Sequence, residues 1–433
     1  MTIYRAPVAD TPDDPFAGGA LRGDADAGLL VTDGLVVDRG PFAEIAARHA
    51  GQDVVDLRDG VLLPGLVDTH VHYPQLRVIG GLGLPLLDWL DRWALPEEAR
   101  FADPDYAQAV ALEFVRALAD AGTTTALVFG AHFAPALDRL FAAARDVGLR
   151  VTSGLVVSDR LLRPELHTTP ERAYDEGRGL AERWHGVGRL RYAVTPRFSL
   201  SCSDEMLAAC AALQADVAGS VLTSHLNENP DEIARVHELF GGSYLDSYER
   251  HGLVSKSSVF AHNVHATDTE LALLGAVGAA VAHCPTSNCA LGSGEFALDR
   301  HVRQGVPVAL GSDVGAGTGL SLFKEGLQAY FVQRLRGADG LPLTPAHLLW
   351  LATAAGARAL GLDDQVGDLS VGRRFDAVWV RPAPGSPLDV GLRHADDLDA
   401  AVARIFALAA TCDVAGVWVD GVAVKGPIWK EVG

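Results

Sequence analysis

Between residues 64 and about 360, eight short apolar runs alternate with Ala-rich stretches of helical period. That alternation restricts the fold more than any other feature of the chain. The runs are Gly65–His70, Thr123–Phe129, Leu149–Val157, Leu190–Thr195, Ser220–His225, Ser257–His262, Ala279–His283 and Val306–Gly311. Tyr106–Ala121, Ala134–Val147, Glu205–Gln214 and Asp268–Leu274 are among the helical stretches between them. Short apolar runs without a polar alternate face read as strands buried on both sides, the pattern of a parallel sheet. Eight strands, each followed by a helical stretch, predict an α/β fold of the (β/α)8 TIM-barrel type. No glycine-rich phosphate loop follows the first strand, which argues against an open dinucleotide-binding sheet.

The two ends of the chain read differently. Leu29–Thr32 and Leu35–Asp38 flank Asp33-Gly34, and the β-prone runs Phe375–Val380 and Val414–Val424 surround Asp420-Gly421. An Asp-Gly pair between β-prone runs signals a tight hairpin. The chain is therefore expected to divide into residues 1–63 and 366–433, which together form one small β-sandwich domain, and a barrel spanning 64–365.

Composition narrows the partners. With 36 Lys+Arg against 55 Asp+Glu, the net charge is −19, which excludes a basic face for nucleic acid or an anionic membrane. No apolar run approaches the ~20 residues of a membrane span. Asp10, Asp13 and Asp14 stand where a secretory leader would be apolar. The five cysteines form no paired framework, so a reducing cytoplasm is the expected compartment.

In a (β/α)8 barrel, chemistry belongs at the C-terminal strand ends. The first strand ends in His70-Val71-His72, and in a strand residues i and i+2 face one side, so both rings reach one point. Alone, such a pair is more often two polar residues on an exposed face. The other strand ends change that: Arg197 follows the fourth strand, His225 and Glu228 end the fifth, His262 the sixth, and Asp313 follows the eighth. Three imidazoles (His70, His72, His225) and the Asp313 carboxylate make a set for one zinc-like ion with an open position. Glu228 stands three residues beyond His225, near the metal without binding it, as suits a proton shuttle. His262 reads either as an orienter of water and substrate or as a structural neighbour. His265, His283 and His132 carry no assigned role.

The stretch Pro64-Gly65-Leu66-Val67-Asp68-Thr69-His70-Val71-His72-Tyr73-Pro74-Gln75 resembles the opening signature of guanine deaminases of the amidohydrolase superfamily. The likeness continues through Leu87-Asp88-Trp89-Leu90 with Pro96-Glu97-Glu98, His225-Leu226-Asn227-Glu228-Asn229, Ala282–Asn288 and Gly311–Thr318. It implies one zinc ion per chain, hydrolysis of guanine to xanthine and ammonia, and a homodimer. Mapped by motif, His70, His72, His225 and Asp313 are ligands, and Glu228, His262 and Asp313 are catalytic. Gln75, Arg197 and Phe198, with His72 and His225, contact the purine. The sequence departs from the pattern at Trp93-Ala94-Leu95, in place of aromatic and hydroxyl residues, and at Gly292, where a serine is usual. For Arg197 two readings stand: a donor to the purine carbonyl, or a partner for a nearby carboxylate.

Three rival functions stay open: another mononuclear deaminase or chlorohydrolase acting on a triazine, pterin or adenosine-like ring; a binuclear cyclic-amide hydrolase; and a non-enzymatic scaffold. The binuclear type needs a lysine ending the fourth strand, where this chain has Ala193-Val194-Thr195-Pro196-Arg197-Phe198. A scaffold would be expected to have lost ligands.

Overall fold

Leu66–His72, Thr123–Phe129, Arg150–Gly154, Leu190–Pro196, Val221–Leu226, Ser258–His262, Ala280–His283 and Val308–Leu310 lie side by side in that order, each neighbouring pair parallel. The computed structural model describes residues 1–426 and holds the expected barrel. The ring closes where the first strand meets the chain beyond the eighth. There the Asp313 N–H donates to the His70 carbonyl (2.8 Å), the His72 N–H donates to the Val314 carbonyl (3.1 Å), and the Thr69 hydroxyl donates to the Leu310 carbonyl (2.8 Å). Inside, Val67, Leu127, Ala193, Val221, Val259 and Ala280 form one cluster with Leu360, Leu362 and Val366.

The outer helices form for local reasons. Pro104–Asp120 starts at Asp103, whose carboxylate accepts the Asp105 N–H (2.9 Å), with proline in its first turn. It buries Val110, Phe114 and Leu118, one face of a 3.6-residue period.

The third barrel strand departs from expectation. Leu149–Val157 splits into Arg150–Gly154 and Val156–Val157, both paired with the fourth strand but in separate ladders. Gly154 marks the break: a Cβ there would lie 1.6 Å from the Ala193 carbonyl oxygen, so only glycine permits the approach.

Strands from both chain ends build a second, mixed sheet. Its order is Val422–Lys425, Val414–Val419, Ala377–Val380, Val61–Pro64, Thr2–Asp10, Arg22–Thr32 and Leu35–Pro41, with Asp53–Asp56 also on Thr2–Asp10. The sheet folds over on itself, since the Val36 N–H donates to the Arg373 carbonyl (2.9 Å) and the Phe375 N–H to the Gly34 carbonyl (2.8 Å). Both Asp-Gly hairpins form as expected, with Asp33, Gly34, Asp420 and Gly421 all at positive φ (50°, 77°, 48° and 73°). Three helices here were not anticipated: Phe42–Arg48, Pro387–Arg393 and Leu398–Leu408. The last has a legible start, because the Asp397 carboxylate caps the Ala400 N–H (2.8 Å) ahead of buried Val402, Ile405 and Phe406.

The folded-over sheet encloses an aromatic core in which Phe375 stacks on Tyr4 at 4.4 Å, with Trp418 edge-on to Tyr4 at 5.7 Å. Phe375 is fully buried. Phe375→Ala is therefore expected to destabilise the protein by about 3–5 kcal/mol, read as an earlier urea-unfolding midpoint. A midpoint equal to wild type would mean that this core adds nothing to the cooperative unit.

Candidate active site

The strand ends gather the expected residues. His72, Gln75, Arg197, Phe198, His225, Glu228, His262 and Asp313 all line one cavity, together with Leu86, Trp89, Leu90, Leu291 and Ala316. His70 completes the group from beside His72.

Four donor atoms crowd together. His72 Nε2 lies 3.1 Å from His70 Nε2, 3.3 Å from His225 Nε2 and 3.1 Å from Asp313 Oδ1, and His70 Nε2 lies 3.2 Å from Asp313 Oδ1. A tetrahedral ion with ligands at ~2.0–2.1 Å separates them by ~3.3–3.4 Å, so the spacing fits one divalent metal of the zinc type. His262 also lies within 4.8 Å of the His70, His225 and Asp313 donors. Its Nε2 stands farther out, 3.7 Å from Asp313 Oδ2, so His72 is the better fourth donor.

The surroundings prepare these rings to ligate. Burial lowers the pKa of His72 to about 4 and holds those of His70 and His225 down, keeping the rings neutral with lone pairs free. The His225 Nδ1–H donates to the Arg197 carbonyl (2.7 Å), which leaves Nε2 for the metal. Phe129, at the end of the second strand, packs 4.7 Å from both His72 and His225. His262 and Asp313 adopt left-handed backbone (φ 70° and 46°), a conformation costly for such residues and common at functional sites.

Glu228 is placed apart from the donors. Its Oε2 lies 3.5 Å from His262 Nε2, and its Oε1 accepts the Ser293 hydroxyl at 3.2 Å. Burial and the nearby Asp313 charge push its carboxyl well above the usual range. His262 is held on its other side, Nδ1 lying 2.9 Å from Asn288 Oδ1.

Arg197 and Gln75, assigned to the purine by motif, come with a carboxylate that motif reading left without a role. Arg197 Nη1 donates to Glu98 Oε2 at 2.6 Å and Gln75 Nε2 donates to Glu98 Oε1 at 2.8 Å, all three buried. Burial alone would raise the Glu98 carboxyl, yet the Arg197 charge, with His132 and Gln75, holds it below the ordinary range. Gln75 Oε1 in turn accepts the Gly315 N–H at 3.3 Å. Arg197 thus both pairs with a carboxylate and lines the cavity.

Glu98 arrives on a chain segment of short turns and helices, Tyr73–Val78, Leu86–Trp89, Leu90–Ala94 and Leu95–Ala99, that also brings Leu86, Trp89 and Leu90 over the cavity. Trp93, one of the departures from the motif, is 40% exposed and does not line it. Of the unassigned histidines, His132 Nε2 sits 3.3 Å from Glu98, His265 donates to the Ser293 carbonyl (2.5 Å), and His283 stacks on Phe296 at 4.1 Å.

The chain belongs to the amidohydrolase family, whose sequence model matches residues 61–424. It is 59% identical over 429 residues to a probable guanine deaminase of Deinococcus radiodurans, covering 97% of this chain and 98% of that protein. Among solved structures, E. coli guanine deaminase matches with a TM-score of 0.94 at 35% identity, over 99% of this chain and 100% of that one. A guanine deaminase from C. acetobutylicum with bound guanine in its active site matches at 0.90 and 26% identity, over 98% and 99% of the two chains.

Proposed function

We propose that this chain hydrolyses guanine to xanthine and ammonia, with one zinc ion per chain held by His70, His72, His225 and Asp313. The observation that carries the reading is that His72, His225, Asp313, Glu228, Arg197 and Gln75 line one cavity, with His70 Nε2 3.1 Å behind His72 Nε2. The similarity to guanine deaminases, one with guanine in its site, supports the choice of base. Dividing the chain at 63/64 and 365/366 puts every one of these residues on the barrel, leaving the β domain in a supporting role.

The chemistry supplied by zinc here is Lewis acidity, which makes water nucleophilic near neutral pH. Glu228 Oε2, on the side facing His262, takes a proton from the attacking water and passes it to a ring nitrogen. His262, with Nε2 3.5 Å from Glu228 Oε2 and 3.7 Å from Asp313 Oδ2, faces the same point and steadies the developing oxyanion. Asp313 accepts the remaining hydroxyl proton and passes it to the amino nitrogen at C2, so the C–N bond breaks with ammonia as the leaving group and C2 becomes a carbonyl. Phe198 gives the base an apolar wall, and the N–H groups of Arg197 and Gln75 not used by Glu98 supply donors for its polar edges. His72 and His225 border the same space.

The reading includes a cytoplasmic homodimer. All five cysteines are free, and among the described residues no helix is long and apolar enough to cross a membrane. Phe331 and Leu335 stand 46% and 79% exposed on the helix Leu322–Leu335, an apolar surface that a second copy would cover.

Guanine carries a carbonyl at C6 and its amino group at C2, whereas adenine has its amino group at C6 and no carbonyl. Adenine would leave the donors of Arg197 unmatched, and each buried unpaired donor costs about 1–3 kcal/mol, more when charged. Sites of this kind discriminate by ~10⁴. Wild-type enzyme is expected to prefer guanine over adenine by that order. Arg197→Ala should raise KM and lower kcat without changing zinc content. Equal turnover of the two purines, or an Arg197→Ala enzyme with wild-type kinetics, would remove the assignment.

A further inference from the structure

The loop after the helix Pro285–Ala290 is built to hold one side chain still. Ser293 lies between Gly292 and Gly294, both at positive φ (66° and 133°), where a side chain would be strained. Its N–H donates to the Asn288 carbonyl (2.9 Å), and its own carbonyl accepts from His265 Nε2 (2.5 Å). The side chain is buried at 2% exposure, and its hydroxyl reaches Glu228 Oε1 at 3.2 Å.

We propose that Ser293 is a positioning residue for Glu228, tethering Oε1 so that Oε2 alone carries the proton during deamination. This rests on Glu228 being the proton carrier. The two oxygens are already unlike: Oε1 meets the serine, and Oε2 faces His262 at 3.5 Å. A free glutamate side chain turns about three torsions, and each turn moves a proton-carrying oxygen off its line to the reacting atoms. With the proton confined to Oε2, Oε1 is an acceptor in the carboxylate and in the carboxylic acid alike, so the serine hydroxyl donates to it in both. The tether therefore survives both protonation states of the cycle, which an alanine could not provide. His265 gains a role through the same loop: it fixes the Ser293 backbone from the side opposite Asn288.

Steady-state kinetics and zinc content of Ser293→Ala, Ser293→Thr, Glu228→Gln and the Ser293→Ala/Glu228→Gln double variant test the proposal. In Ser293→Ala, kcat is expected to fall about 10- to 100-fold, the range spanned by a lost hydrogen bond to a charged group. KM, zinc content and melting temperature stay at wild-type values. Ser293→Thr keeps the hydroxyl and should recover most of the loss. Ser293→Cys keeps the volume with only a weak donor and should behave like alanine. If the serine acts through Glu228, adding Ser293→Ala to Glu228→Gln costs nothing further. Wild-type kcat in Ser293→Ala beside an impaired Glu228→Gln overturns the tether alone. The same fold-loss added on top of Glu228→Gln overturns it too. Full activity in Glu228→Gln instead overturns the reading on which it rests.

Discussion

Purified His70→Ala protein is expected to hold no tightly bound zinc and to release no ammonia from guanine, whereas wild type holds about one ion per chain. His70 Nε2 touches two of the other three donors, at 3.1 Å to His72 and 3.2 Å to Asp313, so its loss opens the set rather than trimming its edge. The nearest further imidazole, His262, has its Nε2 3.7 Å from Asp313 Oδ2 and its Nδ1 2.9 Å from Asn288 Oδ1, so it is held away from the vacated corner. His394→Ala, at an exposed position, should leave both zinc and rate unchanged. Metal analysis beside an ammonia-release assay reads both quantities from one preparation. A zinc-free His70→Ala enzyme with full activity would end the metal assignment.

Glu228→Gln should separate binding from chemistry. The amide keeps the shape of the carboxyl and can still accept the Ser293 hydroxyl, but it cannot take up the proton of the attacking water. Zinc content is expected to stay at the wild-type level while kcat falls by ~10²–10⁴, the usual contribution of a general acid–base group. A KM near wild type would place the loss in the transition state. Zinc lost together with activity would make Glu228 a ligand and require a different proton carrier.

The clustering of the proposed metal donors was legible because each lies at or just past the end of an apolar run, and the barrel assigns those ends to one face. His70, His72, His225 and Asp313 needed only strand periodicity and the order of the strands. Glu98 was harder to read. Its partner Arg197 is 99 residues away, and it sits in a segment of short turns with no sustained period, so only the fold brings the two together. Asn288 and Ser293 escaped for a related reason. Their chemistry is to hold His262 and Glu228, and the contacts span 26 and 65 residues. The break in the third strand depended on the neighbouring Ala193 carbonyl, which no local pattern encodes. The hairpins were the opposite case: Asp33-Gly34 and Asp420-Gly421 state their backbone angles in two residues.

A barrel has one place where the beginning of its ring meets the end, and here that place carries three of the four proposed donors. His70 and His72 belong to the opening strand and Asp313 to the chain just past the closing one, while the same residues exchange the backbone bonds that join the two. An ion held by this set would therefore also be a clasp on the join. Breathing of the barrel at this point and departure of the ion would become one equilibrium, because neither half could swing away while both held the metal. The residues proposed to make the protein reactive would thus also keep it round.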